Sequence, residues 1–342
     1  MVDLLNQKNN EVSLFEKISS YENLYLAFKE CSRGKRSKVG FQKWHLFYGE
    51  KLKELESELK LTGNYQWGGY REFFVHDPKK RLIMAAPFKD RIIHTAIYRV
   101  IAPIIDKTLG AHTYACRVGM GNTHAASRLY CQLKLMGEKR YCIKLDVKKY
   151  FQAINHEIFL ENFFKVLPDA SLERLVFGLI KSSPSMPLNG IPIGNLTSQL
   201  FANFYLSACD KLACEKLGID FFSKTILPDA FYIRYMDDIL VISDDKAKAF
   251  EVANELINFA QNFLNLEIPQ NKKIIIGKDP IPFLGFVLGH EGYRPLQRNR
   301  RRFQKNIRRL EKRKVAPSVR AHVLQSYEAW KNLKEEINVV KV

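Results

Sequence analysis

The chain has 342 residues and a net charge of +18, from 54 Lys and Arg against 36 Asp and Glu. Apolar residues make up 46%, with 23 Phe and 15 Tyr, so a substantial packed core is available. No run of about 18 uncharged apolar residues exists, which argues against a membrane span. The opening residues Met1 to Asn6 carry neither the basic nor the apolar region of a secretory leader, so a cytoplasmic protein is expected. Cys31, Cys116, Cys131, Cys142, Cys209 and Cys214 lie far apart and form no C-x-x-C pair. Reduced, buried thiols are expected, and a zinc centre is not.

From the N-terminus, residues 11–60 read as helical, with Leu14, Ile18, Leu24, Leu26, Ala27 and Phe28 early and Leu52, Leu55 and Leu59 later. Strands follow at Tyr70–Val75 and Arg81–Met84, joined by a turn at His76–Lys79. A helix begins near Phe88, with Ile92, Ile93, Ala96, Ile97, Val100 and Ile101 at helical spacing, and Pro103 is expected to end or kink it. Cys142–Val147 reads as a strand, followed by a helix from about Asn155 and another from Thr197 to Leu217. Phe231–Ser243 reads as two β segments meeting at Asp237-Asp238. Ser243-Asp244-Asp245 then caps a helix through about Leu264. The strand Lys273–Gly277 and the hairpin Phe283–Tyr293 come next, and the last fifty residues are helical and basic. Helices and strands without strict alternation predict an α+β fold.

The placement of charge is more informative than its sum. Between Glu291 and Lys314 there are 11 Lys and Arg against 2 Glu, half the net charge in 24 residues. Lys29, Arg33, Lys35, Arg36, Lys38 and Lys43 form a second cluster. Either alone reads as a solvated face; together with the acidic motifs below, they fit a phosphate backbone, bound largely through counterion release. On the helix near Gln297–Arg313, Phe303, Ile307 and Leu310 mark an apolar side. Arg301, Lys305, Arg308 and Lys312 are then expected to face outward, toward a phosphate backbone.

Two acidic sites stand in strongly apolar surroundings. Asp146 follows Ile143-Lys144-Leu145, and Asp237-Asp238 lies between Ile233-Arg234-Tyr235-Met236 and Ile239-Leu240-Val241-Ile242. Adjacent carboxylates in a partly dry site repel and need a cation. Mg2+ suits them because it takes hard oxygen ligands and leaves room for phosphates and water. Two such ions about 4 Å apart activate a 3′-hydroxyl and stabilise a leaving pyrophosphate.

Tyr235-Met236-Asp237-Asp238 resembles the Y-x-D-D motif of reverse transcriptases, and Lys144 to Ile154 resembles their first catalytic aspartate motif, 91 residues earlier from Asp146 to Asp237. The resemblance extends from about Tyr21 to Trp330. It implies a right-hand polymerase fold, with an N-terminal helical extension at 1–60, fingers at 61–140 and a palm at 141–293. Segment 155–195 is shared by fingers and palm, and a short basic helical thumb occupies 294–342. It implies catalysis by Asp146, Asp237, Asp238 and the general acid Lys272, with Lys273 its rival, and metal ligation at Asp146, Val147, Asp237 and Asp238. The implied cofactor is two Mg2+ ions, with Mn2+ a substitute in vitro. Arg81 with Lys79 or Lys80 would clamp the nucleotide triphosphate, in a segment that otherwise reads as a basic turn. Phe151 would be either the aromatic gate that excludes a ribose 2′-hydroxyl or a core aromatic. Tyr235, Met236 and the hairpin residues Phe283, Leu284 and Gly285 would meet nucleic acid.

Most reverse transcriptases carry a Q-G-x-x-x-S-P pattern where this chain has Ile193, Gly194, Ser198 and Gln199. That variant is similar to the enzymes of diversity-generating retroelements, which are bacterial or phage-encoded and copy a template-repeat RNA into cDNA with errors at adenine. An isoleucine packs but offers no hydrogen bond, and losing one polar check on the nascent pair is worth about 1 kcal/mol. The same resemblance implies template RNA, the RNA/cDNA hybrid, dNTPs and a small basic pentameric helical protein as partners, and no membrane. A retron, intron-type or abortive-infection reverse transcriptase is the competing expectation. The Ser198-Gln199 ending and the short chain after the last hairpin speak against it. A non-catalytic RNA-binding module is disfavoured by the intact aspartates.

Overall fold

The computed structural model describes residues 12–35, 37–62, 65–76, 80–183, 186, 188–269, 273–313 and 315–333. It begins with the helices α1 (Leu14–Ser19), α2 (Tyr21–Ser32), α3 (Val39–His45) and α4 (Tyr48–Thr62), then the hairpin β1 (Arg71–His76) and β2 (Lys80–Ala85). There follow α5 (Phe88–Asp106), α6 (Asn122–Met136), β3 (Tyr141–Asp146), α7 (Tyr150–Ala153), α8 (His156–Val166), α9 (Ala170–Lys181), α10 (Leu196–Tyr205) and α11 (Ser207–Leu217). The strands β4 (Ala230–Tyr235) and β5 (Asp238–Ser243) lead into α12 (Lys246–Leu264). The last elements are β6 (Lys273–Ile276), β7 (Ile281–Phe283), β8 (Phe286–Leu288), β9 (Tyr293–Pro295), α13 (Gln297–Lys312) and α14 (Pro317–Lys331). Every strand pair is antiparallel, and the α+β class holds. No described helix is long and apolar enough to cross a membrane.

The chain divides into two compact units. One contains residues 1–108, 149–205 and 264–266, the other 109–148, 206–263 and 267–342. The first is organised on α5, whose Ile92, Ile93, Ala96, Ile97, Ile101 and Ile105 are all fully buried. Helices α1, α2 and α10 pack on it. His94 Nδ1 meets Thr197 Oγ1 at 2.7 Å, and the Asn23 amide donates to Ala96 O at 3.1 Å. Burial without a counter-charge lowers the His94 pKa to about 3, so its ring is neutral. Pro103 neither ends nor shortens this helix, which continues to Asp106. The buried stripe through Ile105 outweighs the one backbone bond that proline removes.

The second unit holds a four-stranded sheet in the order β4-β5-β3-β6 and a three-stranded sheet β7-β8-β9. Strand β4 and its partner β5 are buried along almost their whole length, the former reading Ala-Phe-Tyr-Ile-Arg-Tyr and the latter Asp-Ile-Leu-Val-Ile-Ser. Continuous burial of this kind marks strands covered on both faces. Helix α6 packs on β4 and β8, around a core that includes Leu129, Leu133, Ile233, Leu240, Phe283 and Phe286. This helix departs from the expected elements, which have none there. Its buried face includes Ser127 and Gln132, which blur the apolar stripe. The helix expected from Thr197 to Leu217 is interrupted at Leu206 (φ −86°, ψ −2°), where α10 ends and α11 begins. Helix α11 packs on β4. As expected, Asp245 caps α12, accepting from Ala247 N at 2.8 Å.

Candidate active site

The acidic residues gather on the second unit's sheet. Strand β3 lies between β5 and β6, and the β3–β5 register sets Asp146 directly opposite Asp238. Opposed residues of an antiparallel pair have Cβ atoms roughly 5 Å apart, so two like charges there repel. Lys144, two residues before Asp146 on the same face, answers with an ion pair from Nζ to Asp238 Oδ1 at 2.7 Å. Asp237 is half-buried in the two-residue connection between β4 and β5. Its neighbour Met236 has φ +55°, a left-handed backbone that in such turns favours glycine and costs other residues about 1–2 kcal/mol. Three carboxylates at one sheet end are the hard oxygen donors that a Mg2+ ion takes. Among the described residues, however, no three acidic, histidine or cysteine side chains already converge as a ligand cluster. The Val147 side chain is buried.

Behind the acidic turn lies a buried ion pair that the sequence reading did not single out. Arg234 and Asp210 have side chains 0% and 1% exposed. The guanidinium grips the carboxylate with two bonds, Nε to Oδ1 and Nη2 to Oδ2, both at 2.6 Å. Asp210 also accepts from Tyr232 OH at 2.6 Å and from Thr113 Oγ1 at 2.7 Å. Burial beside this carboxylate raises the Tyr232 pKa well above its ordinary value. The third guanidinium nitrogen, Nη1, donates to the carbonyl of Met236 at 3.1 Å. The segment 111–115 lies along the outer edge of β4, with Arg234 N donating to His112 O and Tyr114 N to Arg234 O. The visible signal was an arginine inside the apolar run Phe231-Tyr-Ile-Arg-Tyr. A charge in a strand buried on both faces must have a partner.

In the first unit, one loop is fastened on two sides. Gly190 N donates to Ile154 O at 2.7 Å and Ile191 N to Phe151 O at 2.8 Å, while Met84 N donates to Ile193 O at 2.9 Å. Thus the Phe151 turn, the Ile193-Gly194 loop and the Arg81 strand β2 are neighbours. Gly194 has φ +124°, and a Cβ there would stand 3.1 Å from the Ile83 side chain, so both backbone and space demand glycine. Phe151, Ile193 and Gln199 are half-buried, and Arg81 is exposed. Lys79 and Lys272 lie outside the described residues; Lys80 and Lys273 are both exposed strand residues.

The hairpin β7–β8 turns at Leu284 (φ +47°) and Gly285 (φ +95°), and Gly285 O accepts from Leu296 N at 2.8 Å and Asn299 Nδ2 at 3.2 Å. The Phe283 ring is core, 1% exposed, so what this hairpin presents is its tip. Helix α13 has the expected two sides. Phe303, Ile307 and Leu310 are half-buried, with Phe303 stacked on Tyr327 of α14 at 3.6 Å between centroids. Arg301, Lys305, Arg308 and Lys312 are exposed.

Residues 76–288, more than half of the chain, match the family described as reverse transcriptase (RNA-dependent DNA polymerase). The chain belongs to that family, and its α+β polymerase fold follows. The COX1/OXI3 intron 1 protein of Saccharomyces cerevisiae is 22% identical over 229 residues, 61% of this chain and 26% of that protein. Protein YkfC of Escherichia coli K12 is 25% identical over 270 residues, 69% of this chain and 71% of that protein. Among solved structures, apo telomerase from Candida tropicalis truncated from its C-terminal domain gives a TM-score of 0.49 at 12% identity, over 68% of this chain and 55% of that one. Telomerase from Candida albicans in complex with a TWJ fragment of telomeric RNA gives 0.47 at 13%, over 69% and 46%. The chain therefore spans about a quarter of the yeast relative and about half of the telomerase chains.

Proposed function

We propose that this protein is an active RNA-templated DNA polymerase and, more finely, an adenine-mutagenic enzyme of the diversity-generating type. The observation that carries the polymerase reading is the pairing of Asp146 with Asp238 across β3 and β5, with Asp237 in the adjoining turn. Asp146, Asp237 and Asp238 would hold Mg2+, which supplies positive charge at the nucleotide phosphates. Until then Lys144 compensates Asp238.

The remaining assignments rest on the family resemblance. Arg81 with Lys79 or Lys80 holds the triphosphate, Phe151 selects deoxyribose, and Lys272 or Lys273 protonates the leaving pyrophosphate. The division into fingers, palm and thumb, the template-repeat RNA and the basic pentameric accessory protein belong to the same reading. An intron-type reverse transcriptase is the second reading, favoured by the yeast relative's intron origin.

Primer extension with Mg2+ on an RNA template tests the polymerase reading. Asp237→Ala should lower the rate at least about 10^3-fold, roughly 4 kcal/mol of transition-state stabilisation, with melting unchanged. An active Asp237→Ala protein would overturn it. Sequencing the products separates the two subtypes. Errors concentrated opposite template adenine, and reduced several-fold by Ile193→Gln, support the mutagenic enzyme; an even error spectrum supports the intron type.

A further inference from the structure

We propose that the buried Asp210–Arg234 pair is a positioning device for the acidic turn, holding Met236 left-handed so that Asp237 and Asp238 are presented together. The proposal rests on the polymerase reading and adds residues that neither the motif nor the family match assigns a role.

A core needs no ion pair at this position, since two apolar side chains would fill the same space without the desolvation penalty. What an apolar pair cannot do is reach the turn. Arg234 leaves its strand buried, meets both oxygens of Asp210, and donates from Nη1 to Met236 O, two residues along its own chain. Only a planar, forked cation makes those contacts at once; a lysine ammonium is a point charge on a flexible stem.

Asp210 is in turn fixed from three directions. It belongs to α11, accepts from Thr113 in the segment lying along β4, and accepts from Tyr232 within β4 itself. The guanidinium therefore ties the Met236 carbonyl to the framework of the unit rather than to another part of the turn. Met236 is where such a tie matters. It carries a positive φ without being glycine, and the next two residues are the carboxylates. Strained backbone of this kind persists where its surroundings over-determine it. Among those surroundings are the β4–β5 pairing of Tyr235 with Asp238, which closes the turn, and the Arg234 tie to the Met236 carbonyl, backed by Asp210.

The test is single-nucleotide primer-extension kinetics on an RNA template, with melting measured on the same samples. Arg234→Lys, which keeps the charge but not the fork, and Asp210→Asn, which keeps the volume but only one acceptor oxygen, should lower kcat about 10- to 100-fold. KM for the dNTP should stay within about 2-fold. A purely structural pair would lower the melting temperature and leave kcat of the folded protein alone, and that result would overturn the proposal.

A cycle with Met236→Gly gives the sharper readout. Glycine takes the left-handed conformation without help, so in the Met236→Gly chain Arg234→Lys should cost less than about 3-fold. Equal costs in the two backgrounds would sink the idea. If Arg234→Lys does not fold, Asp210→Asn carries the same cycle. The Asp237→Ala control keeps the two readings apart. An active control rejects the polymerase assignment, whereas an inactive control with unaffected Arg234→Lys and Asp210→Asn rejects only the positioning role.

Discussion

The four-stranded sheet and the α13–α14 pair belong to the same unit and are built in opposite ways. In the sheet, the arginine next to the acidic turn is wholly buried and every direction of its guanidinium is used. In α13 and α14 no residue is buried, and the arginines of α13 are exposed around one half-buried stripe, while Arg320 of α14 is half-buried. The contrast separates two uses of positive charge. A buried cation fixes atoms to within tenths of an ångström, as chemistry on a phosphate requires. An exposed row of cations holds a polyanion wherever it slides, which is what movement along a template requires.

The largest test of that contrast is stability. Arg234→Met leaves Asp210 buried and uncompensated and should cost about 3–5 kcal/mol in denaturant unfolding, whereas Arg308→Met should stay within about 0.5 kcal/mol. Comparable losses at the two positions would erase the distinction.

A smaller expected effect concerns binding. Reversing Arg301, Lys305 and Arg308 to Glu should reduce products longer than a few nucleotides. It should also make the dependence of affinity on salt shallower, because fewer counterions are released, while single-nucleotide addition survives. Loss of the single addition first would place these residues with the chemistry instead.

Smallest is a local effect. Phe303→Ala removes the stack on Tyr327 and should cost about 1 kcal/mol, seen as faster hydrogen exchange in α13 and α14 with β3, β4 and β5 unchanged.

These features differ in how far they can be read from residues alone. The acidic turn is legible because a doublet of aspartates between Tyr-Ile-Arg-Tyr-Met and Ile-Leu-Val-Ile violates the pattern of its neighbours. The two sides of α13 are legible because Phe303, Ile307 and Leu310 recur at helical spacing. Helix α6 is not, because its buried Gln132 uses its amide on Leu227 O at 2.6 Å, a partner far along the chain. The break at Leu206 is equally hidden, since no glycine or proline marks it in Phe204-Tyr205-Leu206-Ser207-Ala208. Arg234 announces that it needs a partner, but nothing local says that the partner is Asp210, 24 residues earlier. Long-range pairing is where one-dimensional pattern stops.

The position of β3 has a consequence for how the chain is made. Both of its neighbours, β5 and β6, are encoded after it, beginning at Asp238 and Lys273. At ribosomal speeds of about 5–20 residues per second, the segment ending in Asp146 waits roughly 5–20 s before its first partner is synthesised. During that interval a strand destined for the centre of a sheet has both edges unpaired, the condition that invites association with other chains. Asp146, the first of the three aspartates, thus lies on the strand with most reason to need shelter during synthesis.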